Sequence, residues 1–221
     1  MKTAIVIPAY NEARHIEKVV RDVRKQGYQW VVVIDDGSHD ATGALARKAG
    51  ADVLRHVINR GQGAALRTGI HYALDHGAQL IVTFDADGQF LASEIKKVAR
   101  PVLEDRRDVA LGSRFLGKAE NISVGKRATL KLGAWVTYIF SGIKLTDSHN
   151  GFRAFNRKAA QRLHITFDHM EHASEIIEEI AKNKLRYTEV PVTIIYHEPG
   201  QHPMRSIKMG IKLVMRKVLG W

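Results

Sequence analysis

Residues 78–90 read AQLIVTFDADGQF, an apolar run that stops abruptly at two carboxylates one residue apart. Leu80 to Phe84 has the composition of a short buried strand. Such a strand has no place for Asp85 and Asp87, so both fall just past its carboxyl end, ahead of Gly88 and Gln89. Carboxylates ionised side by side repel, and the pair persists where something positive joins them. A hard divalent cation that also holds a diphosphate is the natural candidate, since Mg²⁺ favours one or two carboxylates plus substrate phosphates. The plainer alternative is a solvated acidic turn ahead of the next helix.

The same pattern recurs along the first half of the chain. Strands are expected at Ala4 to Ile7, Trp30 to Ile34, Asp52 to Leu54, Leu80 to Phe84 and Val109 to Leu111. Helices are expected from about Glu12 to Gln26, Ala41 to Ala49, Ala64 to His76 and Ser93 to Glu104, the first with Ile16, Val19, Val20 and Val23 at helical spacing. Strands alternating with helices imply right-handed crossovers and a parallel sheet covered on both faces. Ligands of such sheets lie outside the carboxyl ends of the strands. There the sequence places Pro8-Ala9-Tyr10-Asn11-Glu12, Asp35-Asp36-Gly37-Ser38, Asn59-Arg60-Gly61-Gln62-Gly63, Asp85-Ala86-Asp87 and Gly112-Ser113-Arg114. One such cluster is ordinary turn or cap chemistry. Five at five strand ends converge on a crevice.

The second half reads differently. Ser123 to Ile143 predicts a helix whose apolar face is Leu132, Trp135, Val136, Ile139, Phe140 and Ile143. After the polar segment Thr146 to Arg153 come a helix over His172 to Asn183 and a strand over Thr188 to Ile195. Met204 to Leu219 predicts a basic amphipathic helix, with Ile207, Ile211, Val214, Met215 and Leu219 on one face and Lys208, Lys212 and Arg216 on another. The formal charge of +11 suits nucleic acid, an anionic membrane or an anionic small molecule. With no cysteine, disulfides and thiolate chemistry are excluded. The N-terminus is too soon broken by Pro8 for a signal peptide, and no run is long enough to span a bilayer.

PAYNE, DDGS, NRGQG, DADGQ, GSR and the SHNGFR segment, in this order and spacing, resemble a family 2 glycosyltransferase of GT-A fold. Within that family the chain is most similar to dolichyl-phosphate mannosyltransferases and bacterial polyprenyl-phosphate sugar transferases, over roughly Thr3 to Ile195. The resemblance implies an α/β fold with a Rossmann-like, mostly parallel central sheet and helices on both faces. It implies a catalytic domain over 1–198, with a nucleotide-sugar half to about 115 and an acceptor half beyond, then the basic helix of 199–221. Pro8, Tyr10, Asn11 and Glu12 match the family's first nucleotide-contacting loop, and Asp35 and Asp36 the pair that reaches ribose or base. Gln62, Asp85 and Ala86 complete the expected donor site. Asp85, Asp87 and Gln89 match the ligands of a Mg²⁺ or Mn²⁺ ion. Arg114, with Arg127 and Arg205, is expected to meet an acceptor phosphate, as the planar fork of arginine suits.

Many relatives carry lysine at the position of Gln62. Either Arg60 or Arg67 then stands in, or the diphosphate depends more on metal, while the glycines let an anion approach a helix start. The implied reaction is a single displacement with inversion at the anomeric carbon, with Asp87, Arg114 and Glu175 as its catalytic residues. An ionised lipid phosphate acceptor needs alignment and cations rather than a base. A sugar hydroxyl would need one, and Glu171 or Glu175 is where the wider family places it; acids also occur routinely at a helix N-terminus. Asp147 and Arg153 are either a structural pair fixing the Gly151 turn or a substrate contact. The expected partners are a nucleotide sugar, a polyprenyl phosphate and an anionic membrane surface, with the protein peripheral on the cytoplasmic face. A nucleotidyltransferase would carry its glycine-rich loop after the first strand, where PAYNE stands. A nucleic-acid-binding module is disfavoured by the strand-end carboxylates and the 7% aromatic content.

Overall fold

The computed structural model describes residues 1–196; the basic helix expected beyond them, with Arg205, lies outside the described residues. Seven strands form one sheet: β1 (Thr3–Ala9), β2 (Val31–Asp35), β3 (Asp52–Arg55), β4 (Leu80–Thr83), β5 (Val109–Glu120), β6 (Arg153–Asn156) and β7 (Tyr187–Ile195), in the order β3-β2-β1-β4-β6-β5-β7. The first four strands pair in parallel, as do β5 and β7, whereas β6 runs antiparallel to both neighbours. Alternation along β1 sends Ile5 and Ile7 to one face and Ala4 and Val6 to the other. On the first face pack α1 (Ile16–Lys25), α2 (Thr42–Lys48) and α4 (Ile95–Leu103). The opposite face is covered by α3 (Gln62–Asp75), α6 (Arg157–Arg162) and α7 (His172–Lys182). Strands buried on both sides read as unbroken apolar runs, which is why β1, β2 and β4 stand out in the sequence.

Three features depart from the expected pattern. The short strand β6 is hidden because it opens on buried Arg153 and spans only RAFN; α6 follows at once, capped by Asn156 Oδ1, which accepts from Ala159 N–H at 2.7 Å. The fifth strand does not stop at Leu111. It runs on beside β7, with a register irregularity between Ser113 and Lys118, so Gly112-Ser113-Arg114 lies within the strand rather than after it.

The largest departure is α5 (Val124–Ser141). Its expected apolar stripe turns outward: Leu132 and Trp135 are each 59% exposed and Ile139 54%, while only Ile143, past the helix end, is buried. Inward it presents small and polar residues, Ala134 and Thr137, with the Thr137 hydroxyl 3.4–3.5 Å from Ser148 Oγ and Ser174 Oγ. Among the described residues no helix is long and apolar enough to cross a membrane.

Candidate functional site

The carboxyl ends of β1, β2 and β4 open on the expected crevice. Past β4 the chain turns through Asp87, whose Oδ1 accepts from Gln89 N–H at 3.0 Å. Asp85 lies beneath, its Oδ1 accepting from Gln62 Nε2 at 3.2 Å. A Cβ on Gly151 would fall 2.7 Å from the same oxygen, so only glycine lets that turn lie against the carboxylate. Burial, and next the charge of Asp87, push the Asp85 carboxyl up to about 7, with Arg153 and Arg114 opposing. Glu12 is likewise raised, first by burial and in part by Asp87. Three carboxyl groups past the ends of β1 and β4 thus act on one another's ionisation. A divalent cation between Asp85 and Asp87 would relieve that opposition, as carboxylate oxygens suit such an ion. Among the described residues no closed cage of three or more His, Asp or Glu is formed.

The loops after β1 and β2 are more tied to one another than the sequence suggests. Asn11, at φ 56°, accepts from His39 N–H at 2.9 Å and donates its own N–H to Ser38 Oγ at 3.0 Å. Tyr10 is exposed, edge-on to His39. Pro8 is buried within β1, and the Ala86 side chain belongs to the core, so each can meet a ligand by backbone at most. Asp35 takes Ser38 N–H at 2.9 Å and lies 3.6 Å from Arg55 Nε. Asp36 is fully engaged. Its oxygens accept from Arg60 N–H, Gly61 N–H and His56 Nδ1 at 3.0, 2.7 and 2.6 Å, and so it holds the glycine loop.

That loop is not open to an anion in the way expected. The first N–H groups of α3 already have an acceptor: Gly63 and Ala64 N–H donate to the Asp168 carbonyl at 2.8 and 3.1 Å. The glycines permit this approach; a Cβ on Gly63 would fall 2.0 Å from the Phe167 carbonyl oxygen. Arg60 and Arg67, the two arginines expected to stand in for a lysine, both reach the segment that supplies this carbonyl. Arg67 Nη2 donates to Asp168 Oδ1 at 2.8 Å and Nη1 to the Ile165 carbonyl, and Arg60 lies 3.9 Å from Asp168 Oδ2. Residues 165–169 therefore form a strap across the loop.

Glu175 fastens the same strap from beneath. Its carboxylate accepts from Thr166 N–H, Phe167 N–H and the Thr166 hydroxyl, at 2.5–3.1 Å. Hydrogen bonds to a charged group contribute about 1.5–3 kcal/mol each, so freeing this carboxylate to act as a base costs several kcal/mol. Glu171, the residue before α7, is partly buried.

On β5, Arg114 is buried and oriented by Asp147, which takes its Nε at 2.5 Å and its backbone N–H at 3.1 Å. Arg114 Nη1 donates to the Tyr196 hydroxyl and Nη2 to the His149 carbonyl at 3.1 Å. Asp147 thus pairs with Arg114 rather than with Arg153. Arg153 instead donates to the Ser148 and Ala173 carbonyls and lies close enough to Asp85 and Asp147 for both charges to act on it. Burial lowers it to about 10. Arg127 is exposed, 6.0 Å from the Phe115 ring centroid. Its neighbour Lys126 is partly buried: Nζ is 4.0 Å from the Tyr196 ring centroid, and Arg114 and Asp87 both act on its charge. Sequence reasoning singled out neither Lys126 nor Tyr196; neither residue carries a motif.

The family model "Glycosyl transferase family 2" matches residues 4–164. An uncharacterized protein of Methanocaldococcus jannaschii is 40% identical over 97% of this chain and 91% of its own. The UDP-N-acetylglucosamine–dolichyl-phosphate N-acetylglucosaminyltransferase of Methanococcus voltae is 30% identical over 97% of this chain and 94% of its own. The polyprenol monophosphomannose synthase of Mycolicibacterium smegmatis is 30% identical over 100% and 86%. Among solved structures, glucosyl-3-phosphoglycerate synthase from Mycobacterium tuberculosis, crystallised with Mn²⁺, UDP and glucosyl-3-phosphoglycerate, superposes with a TM-score of 0.75 at 15% identity, covering 98% of this chain and 78% of that one. That likeness is one of fold.

Proposed function

The chain belongs to glycosyltransferase family 2, and we propose that it moves a sugar from a nucleoside-diphosphate sugar, GDP- or UDP-linked, to a polyprenyl phosphate by one inverting displacement. The relatives from Methanococcus voltae and Mycolicibacterium smegmatis are named for dolichyl-phosphate and polyprenol-phosphate chemistry, which favours that acceptor over a sugar hydroxyl. The observation that carries the choice is Glu175. A hydroxyl acceptor needs a base, and the carboxylate expected to serve is committed to the 165–169 strap. A phosphate oxygen is already ionised and needs alignment beside a cation. Arg114 offers this, because Asp147, Tyr196 and the His149 carbonyl fix its fork.

On the donor side Asp85, Asp87 and Gln89 would hold Mg²⁺ or Mn²⁺. An ion held by them would supply positive charge against that of the departing nucleoside diphosphate. Gln62 orients Asp85 by its 3.2 Å hydrogen bond but brings no charge, so the diphosphate leans on the cation more than it would beside a lysine. The nucleoside is expected to meet the face formed by Tyr10, Asn11 and Asp35. The stretch to about residue 115 then serves the donor and the stretch beyond it the acceptor.

The outward stripe of α5 supports peripheral attachment to an anionic membrane. Leu132, Trp135 and Ile139 are exposed on a helix that carries Lys126, Arg127 and Lys131 and no acidic residue. Its first turn borders the acceptor side through Lys126, so docking this face would bring the site to the lipid surface.

A panel of GDP- and UDP-sugars, with Mg²⁺ or Mn²⁺, with and without polyprenyl phosphate, tests the reading. Transfer should require both metal and lipid phosphate and vanish in Asp87→Ala. Sugar nucleotide binding with indifference to lipid phosphate would point to a hydroxyl acceptor instead.

A further inference from the structure

Gln62 stands between two glycines whose backbones are held from opposite halves of the chain. Gly61 N–H donates to Asp36 Oδ2 at 2.7 Å, in the loop after β2. Gly63 and Ala64 N–H donate to the Asp168 carbonyl of the strap at 2.8 and 3.1 Å. With both of its neighbours fixed, Gln62 places its amide nitrogen 3.2 Å from Asp85 Oδ1. The glycines leave no clearance on the strap side. A Cβ on Gly61 would fall 2.3 Å from the Asp168 carbonyl oxygen, and one on Gly63 2.0 Å from that of Phe167. The strap therefore lies directly on the backbone that carries Gln62.

Two sets of contacts hold the strap, and they pull on different elements. Glu175 ties Thr166 and Phe167 to α7. Arg67, five residues beyond Gln62 on α3, ties the strap to the helix that the glycine loop begins. Its Nη1 donates to the Ile165 and Thr166 carbonyls at 2.9 and 3.5 Å, and its Nη2 to Asp168 Oδ1 at 2.8 Å. The carboxylate contact is charge-assisted, and with Arg67 only 26% exposed it is better shielded than a surface ion pair. Asp168 thus meets α3 twice, by its carbonyl at Gly63 and by its carboxylate at Arg67. A carboxylate that serves a cation is aimed by the hydrogen bonds behind it, and Gln62 supplies one such bond to Asp85.

We propose that Arg67 is a positioning residue of the donor side: by holding the strap on the glycine loop it keeps Gln62 on Asp85, and so strengthens binding of the divalent cation. The role rests on the divalent-cation part of the proposed function. Arg67 acts through Gln62 and not on the cation itself, which ties a segment of the second half of the chain to the metal motif of the first.

The test is Mn²⁺ binding, followed by electron paramagnetic resonance with UDP or GDP present. It compares full-length wild type, Gln62→Ala, Arg67→Ala, Arg67→Lys and the double variant Gln62→Ala/Arg67→Ala. Melting curves and acceptor KM accompany it. Losing a partner behind a metal ligand costs about 10- to 100-fold in metal affinity, so each single alanine variant should weaken Mn²⁺ by about tenfold or more. Arg67→Lys keeps the charge without the fork and should recover part of that loss. Because the two residues act in series, adding Arg67→Ala to Gln62→Ala should change Mn²⁺ affinity by less than about threefold. Acceptor KM should stay at the wild-type value. Asp168→Ala cuts the same link from the strap and takes the place of Arg67→Ala should that variant melt too low to assay. An arginine that only stabilised the fold would lower the melting temperature and leave Mn²⁺ affinity alone. The proposal is overturned if either single variant binds Mn²⁺ like wild type, if the two losses add in full, or if acceptor KM rises as far as the Mn²⁺ constant. Those results, with a wild type that binds Mn²⁺, defeat this inference alone. A wild type that binds no Mn²⁺ with either nucleotide defeats it together with the divalent-cation reading.

Discussion

Glu175 and Asp36 show how a residue can occupy the expected position and still spend its oxygens elsewhere. Both are acids at positions the family resemblance marks for chemistry, yet one fastens the strap and the other the glycine loop. Removing a general base typically costs 10²–10⁴-fold in rate. Glu175→Gln should instead lose less than about tenfold in kcat, keep the wild-type pH profile and lower the melting temperature, since a glutamine amide meets Phe167 N–H donor to donor. A hundredfold loss with a displaced pH profile would restore the base. At this scale the sequence told which residues gather at the crevice, because turn and motif residues stand at strand ends. Orientation was not legible. Lys126 and Arg127 are indistinguishable as letters, and Asp147 sits as near in sequence to Arg153 as a partner should, yet it pairs with Arg114 across the fold.

Elements were legible by period and illegible by face. The helical spacing of α5 is plain in the sequence, but a stripe of large apolar residues is read by default as core, and here it faces outward while Thr137 faces in. Burying an apolar side chain of that size contributes about 1.5–3 kcal/mol, so covering this stripe would be favourable. Trp135→Glu should weaken binding to anionic vesicles by about tenfold or more. Transfer to a short, soluble farnesyl phosphate should survive, and equal vesicle binding by wild type and variant would contradict the membrane role. The strap was hidden for another reason. Thr166 to His169 carries no motif, and the glycines that admit it are the ones that also suit anion binding. Gly63→Ala forces a Cβ to 2.0 Å from the Phe167 oxygen. Overpacking of this kind costs about 1–3 kcal/mol, so the melting temperature should drop by roughly 3–10 °C. An unchanged melting curve would mean that the strap lifts freely.

For the molecule as a whole, the alternation of strand and helix predicted the parallel sheet and its covered faces because both faces are dry and the strands read as apolar runs. The antiparallel β6 escaped because a buried arginine opens it. That arginine belongs to a polar interior which makes the fold sensitive to acid. Burial holds His149 and His172 neutral, each down to about 4 against an ordinary 6.5. The unfolded chain takes up those protons first as pH falls, so stability is full above about 6.5 and declines between there and about 4, by roughly 2–3 kcal/mol for each histidine. The melting temperature should fall from about pH 7 to about pH 5, and His172→Asn should flatten the slope; a flat wild-type profile would contradict the buried neutral state.

The central claim is that the nucleophile is a lipid phosphate oxygen. The most direct measurement is ³¹P NMR, with mass spectrometry, of the lipid product formed from polyprenyl phosphate and the active sugar nucleotide. The phosphomonoester should become a phosphodiester to the anomeric carbon, with inverted configuration. A sugar carried on a hydroxyl, with the lipid phosphate still a monoester, would contradict it.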